Sequence, residues 1–138
     1  MRRRVGQFAR DGLFVGLIAA AVNAAVVVLA TATGHRPLVD PGEPWSTSPV
    51  PLSPVAAAGA TLLAGVLAGV LAGITARIMR RPAPTIALGG TVLTAVSLIA
   101  PLQTPNADGR AALVACHLIA GTAITAALVR DARRRPGR

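Results

Sequence analysis

Leu63-Ala64-Gly65-Val66-Leu67-Ala68-Gly69-Val70-Leu71-Ala72-Gly73 repeats the unit Val-Leu-Ala-Gly in the middle of a long uncharged segment. At 3.6 residues per turn, a period of four puts Gly65, Gly69 and Gly73 in one ridge, with Ala64, Ala68 and Ala72 in the ridge beside it. In water each glycine would weaken such a helix by about 1 kcal/mol relative to alanine. In hydrocarbon the backbone N–H and C=O groups have no competing partner, so the helix holds. Its nearly bare face allows a second helix to approach closely, which makes this the packing helix of a membrane bundle.

The composition around the repeat agrees. Of the 138 residues, 53% are hydrophobic and 14% charged, too apolar for an ordinary soluble domain of one-domain size. Four windows emerge, at about 12–32, 55–76, 85–102 and 111–129, within a single membrane domain covering residues 1–138. The first, Gly12 to Ala32, has 21 uncharged residues, enough to cross about 30 Å of hydrocarbon. It follows Arg2, Arg3, Arg4 and Arg10, an arrangement also found in signal peptides. The run exceeds their ~7–15 apolar residues, and three more windows follow, so the segment is expected to stay in the mature protein. Arg3-Arg4-Val5-Gly6-Gln7-Phe8 lacks the apolar residues that directly follow the pair in a twin-arginine signal. Gly12, Gly16, Ala20 and Ala24 form a second small-residue ridge. Gly69 is expected to meet this helix at Gly16 or Ala20.

Residues 34–54 form the one long connection, and Pro37, Pro41, Pro44, Pro49, Pro51 and Pro54 remove too many donors for helix or sheet. It reads as an outer surface loop, with Trp45 as an interfacial anchor. His35, Asp40 and Glu43 match no metal-ligand spacing, so no metal site is expected there. Arg77, Arg80, Arg81, Pro82 and Pro84 make a short basic turn. Pro101 and Pro105 end the third span, and Asn106 or Asp108 can cap the fourth.

Of the 14 arginines, twelve fall on one side when the four spans alternate, in the N-terminal tail, the Arg77–Arg81 turn and the C-terminal tail; only Arg36 and Arg110 fall on the other. Positive charge is retained on the cytoplasmic side, which predicts a plasma-membrane protein with both termini cytoplasmic. The same asymmetry accounts for the net charge of +9 without a nucleic-acid partner. It also leaves the basic termini near anionic lipid headgroups.

No Asp, Glu, Arg or Lys lies inside a window, which removes the carboxylates that proton-coupled transporters use. The lone Cys116 forms no intramolecular disulfide, and it points about a quarter-turn from His117, so no Cys-His catalytic pair is expected. Asn23, Ser97 and His117 are the polar residues that stand out. At 1.5 Å per residue they lie about 13, 8 and 10 Å from the outer ends of their spans, so they can meet as an intramembrane cluster. Interhelical hydrogen bonding accounts for such a cluster, and a small polar site entered from outside is the functional alternative.

Ala21-Val22-Asn23-Ala24, Val92-Leu93-Thr94-Ala95-Val96-Ser97-Leu98 and Cys116-His117-Leu118-Ile119-Ala120, between basic termini, give the chain its family resemblance. It resembles the small four-span membrane proteins of actinobacteria filed as a domain of unknown function. That resemblance implies the architecture and no activity. The sequence therefore predicts an all-α integral membrane four-helix bundle with a structural or accessory role, no catalysis and no cofactor. Its partners are the bilayer and either further copies or another membrane protein. The alternative is a small-solute channel or transporter acting as a homo-oligomer.

Overall fold

A computed structural model describes residues 2–40 and 48–134. Four of its helices are long and apolar enough to cross a membrane. Helix α1 (Arg2–Ala32) is followed by β1 (Leu38–Val39), β2 (Val50–Pro51), α2 (Pro54–Ile78), α3 (Pro82–Ser97), α4 (Ile99–Leu102) and α5 (Ala107–Arg134). At 1.5 Å per residue, the 31 residues of α1 and the 28 of α5 run well beyond a 30 Å hydrocarbon layer.

Local chemistry sets the helix ends. Ser53 accepts from the Ala56 N–H at 3.3 Å, and Pro54 occupies the first turn of α2, where its missing donor costs nothing. The same tolerance lets α3 start at Pro82, so Pro82 and Pro84 are part of the third span and not of the turn before it. That span is also interrupted. Pro101 cannot donate to the Ser97 carbonyl, α3 ends at Ser97, and a single turn, α4, resumes after Leu98.

Helices α1 and α2 run antiparallel in direct backbone contact. Val5, Phe8, Gly12 and Gly16 advance along one as Gly73, Gly69 and Gly65 descend the other. A Cβ on Gly65 would lie 2.7 Å from both the Gly12 carbonyl oxygen and the Gly16 Cα, and one on Gly69 would strike the Phe8 carbonyl oxygen. Gly69 therefore faces Phe8, Ala9 and Gly12, and Gly16 faces Gly65. Gly69 thus meets the expected helix, but at Phe8 to Gly12, one to three turns before Gly16 or Ala20. The reason is that α1 begins at Arg2, which places its N-terminal turns beside the end of α2.

The other faces of the repeat are occupied differently. Gly65, Gly69 and Gly73 are buried, whereas Leu63, Leu67 and Leu71 are 60%, 54% and 54% exposed. Such a surface of leucine, with Phe14, Leu29 and Leu88 also uncovered, suits hydrocarbon and not water. At the end carrying the chain termini, Phe8 is the central buried side chain, packed with Ala72, Ala76, Ile86, Ile124, Leu128 and Ala132. Residues from all four long helices meet there. Ala132 also explains why α5 remains helical through the charged sequence to Arg134: one face of that extension is held in the core.

A reciprocal seam joins α3 to α5. A Cβ on Gly90 would overlap the Thr125 side chain, and one on Gly121 would overlap that of Thr94. Helix α5 also packs against α1, while α2 and α3 touch only sparsely. The order around the bundle is therefore α2, α1, α5, α3, with the ring left open between its first and last members.

Candidate functional site

The opening between α2 and α3 is a cleft of about 420 Å³. Helix α5 forms its floor, and Asn23 reaches it from α1. Asn23, Ser97 and His117 all line this cleft, but no hydrogen bond joins them. Asn23 is 1% exposed and donates from Nδ2 to Thr61 Oγ1 at 2.8 Å and to the Cys116 carbonyl at 3.1 Å. A carbonyl can only accept, so this contact fixes which end of the amide is nitrogen. His117 is half-buried and directs Nδ1 to the Leu113 carbonyl at 2.8 Å, one turn back on its own helix. Ser97 likewise donates to the Thr94 carbonyl at 2.7 Å. Each of these two satisfies its donor within its own helix, which is why neither reaches for Asn23.

Thr61 completes the site. Its hydroxyl donates to the Ala57 carbonyl at 2.8 Å and accepts from Asn23. Nothing in the sequence singles it out, because a helical threonine ordinarily bonds only to its own preceding turn. The Cys116 thiol is turned toward the Asn23 carbonyl, 3.9 Å away. It is not hydrogen-bonded to His117. No carboxylate lines the cleft, and the described residues contain no group of three or more His, Cys, Asp or Glu side chains able to hold a metal.

The end of the bundle opposite the termini is closed by a polar cap. Leu38 and Val39 pair antiparallel with Pro51 and Val50, a short ladder in a loop whose prolines predict none. It forms because Leu52 N–H reaches the Pro37 carbonyl at 2.8 Å and proline occupies positions that need no donor. Asn106 is the N-cap of α5: its Oδ1 accepts from Gly109 N–H at 2.9 Å and from Leu38 N–H at 3.1 Å, while Nδ2 donates to the Arg36 carbonyl at 2.6 Å. Asp108 holds the loop instead, accepting from Arg36 N–H at 3.0 Å and facing His35 Nδ1 at 3.1 Å. The Arg36 amide and then the His35 ring keep the Asp108 carboxyl below its ordinary range. Gly109 lies against the Leu38 carbonyl so closely that no side chain fits. Glu43 and Trp45 lie outside the described residues.

Fold and cleft together define an all-helical protein with four apolar helices of membrane-spanning length, consistent with a multi-pass membrane protein. The chain belongs to a family of unknown function (DUF6069), whose model matches residues 3–134. No curated protein and no solved structure matches it.

Proposed function

We propose that the chain is an integral protein of the plasma membrane with a structural or accessory role and no catalytic one. Both termini and the Arg77–Arg81 turn face the cytoplasm, and the loop at 34–54 lies outside. One observation carries the reading. The helices alternate in direction, so the described arginines at Arg10, Arg77, Arg80, Arg81, Arg130, Arg133 and Arg134 gather at one end of the bundle, and only Arg36 and Arg110 lie at the other. Retention of positive charge on the cytoplasmic side produces such an asymmetry, which supports this orientation. It also gives the protein a basic surface at the level of anionic headgroups, each arginine contributing about 1 kcal/mol. The apolar character of the cleft and the absence of carboxylates from its lining support an accessory role over a homo-oligomeric channel or proton-coupled transporter.

Reporter fusions test the arrangement. A fluorescent protein that folds only in the cytoplasm should be active at Arg138, and a phosphatase that folds only outside should be active when inserted at Ser48. An active phosphatase at Arg138 would overturn the arrangement.

A further inference from the structure

We infer that the cleft between α2 and α3 is a binding site for one neutral, single-chain amphiphile whose head donates hydrogen bonds, such as a long-chain alcohol drawn from the bilayer. The inference rests on the reading that these helices lie in a membrane, and three features of the cleft carry it.

The first is its hydrogen-bonding imbalance. The side-chain donors of Asn23, Thr61, Thr94, Ser97 and the His117 Nδ1 are all directed to protein oxygens. Thr125, two turns beyond His117, is the exception among the hydroxyls lining the cleft. Around Ser97 and His117 the remaining capacity is for accepting. Asn23 Oδ1 is sealed from the cleft, so the acceptors within reach of a ligand lie on His117 and Ser97. In the neutral ring His117 Nε2 is an acceptor, and Ser97 Oγ keeps free lone pairs. A ligand that donates completes the set. One that only accepts does not.

The second feature is polarity along the cleft. Thr61, Ser97 and His117 lie toward the capped end, while Leu67, Leu71, Leu93 and Ile124, with the Thr125 hydroxyl among them, line it toward the other. Head and tail are thereby oriented. No charged side chain lines the cleft, which excludes an ionic headgroup.

The third is shape. The wall from Ala57 to Leu71 on α2 is about 21 Å long at 1.5 Å per residue. The cleft is a long groove and not a round chamber, its 420 Å³ drawn out along that wall. That elongated form suits one hydrocarbon chain. The opening is lateral, so the chain enters from the bilayer.

The test uses the full-length protein in phosphatidylcholine nanodiscs and a hexadecanol carrying a photoreactive diazirine and an alkyne on its tail. The control is its methyl ether, in which a methyl group takes the place of the donated hydrogen. The alcohol should label the segments around Leu67–Leu71 and Leu93, compete with unlabelled hexadecanol, and bind about two- to tenfold better than the ether, the worth of one neutral hydrogen bond. His117→Phe should reduce labelling by the alcohol to that by the ether. Ala64→Phe, which fills the cleft from α2 without touching the glycine ridge, should abolish labelling by both and provides an answer if the histidine variant misfolds. Equal labelling by alcohol and ether, labelling unaffected by Ala64→Phe, or photocross-linked dimers through the cleft would overturn the proposal. Loss of the chain from alkali-washed membranes instead overturns the membrane reading beneath it.

Discussion

Asn23 is the polar side chain that ties three helices together, through Thr61 on α2 and the Cys116 carbonyl on α5. An amide in an apolar helix announces itself in sequence, because it must find partners or lose about 1–3 kcal/mol. Its partners do not. One is a backbone carbonyl, which every residue possesses, and the other is a threonine indistinguishable from its neighbours. Asn23→Ala should therefore destabilise the protein by about 0.6–2 kcal/mol in mixed-micelle unfolding. A double-mutant cycle separates the partnership the structure shows from the one the sequence suggests. Asn23→Ala with Thr61→Ala should lose less than the sum of the single losses, whereas Asn23→Ala with His117→Ala should be additive within about 0.5 kcal/mol. Coupling to His117 in place of Thr61 would contradict the geometry. Asn106 bears a comparable load at the capped end, and Asn106→Ala should cost about 1 kcal/mol or more, as loss of a helix cap does.

Among the elements, the four long helices were legible because apolar length and charge segregation are properties of contiguous sequence. Their trespass into charged sequence was not. Phe8 and Ala132 extend α1 and α5 because they meet in a core, and such contacts join residues far apart in the chain. The break after Ser97 was partly readable, since Pro101 is visible, but its placement three residues upstream follows from which carbonyl the ring leaves unpartnered. The capping loop was least legible, being held by Asn106 and Asp108 from the far side of two helices. Its docking has a defined pH response. The Asp108 carboxyl is held below the ordinary value of 3.8 when the loop is docked, so its contribution is fully present above about pH 4. It is lost as pH falls through the lower folded value. Exchange of the Arg36 amide, relative to its intrinsic rate, should be slow from neutral pH down to about 4 and accelerate below it. Asp108→Asn should remove that acid transition, and a transition that persists in the variant would assign it to another group.

At the scale of the whole molecule, two kinds of seam arrange four helices into an open ring. Glycine against backbone joins α1 to α2, and glycine against threonine joins α3 to α5. Both leave α2 and α3 apart and so create the cleft. Everything proposed for the cleft depends on α2 being fixed by its glycine ridge and not by its leucines. Helix α2 itself contains the control, because a Cβ at Gly59 meets nothing within 4 Å while one at Gly65 meets the backbone of α1. The decisive measurement is the thermal unfolding midpoint of Gly65→Leu beside that of Gly59→Leu in the same detergent. Gly65→Leu should fall by several degrees, reflecting overpacking of about 1–3 kcal/mol, and Gly59→Leu should match or exceed the unsubstituted protein, because leucine favours a helix over glycine. Equal midpoints for the two variants, or a greater loss at Gly59, would contradict the packing on which the fold is built.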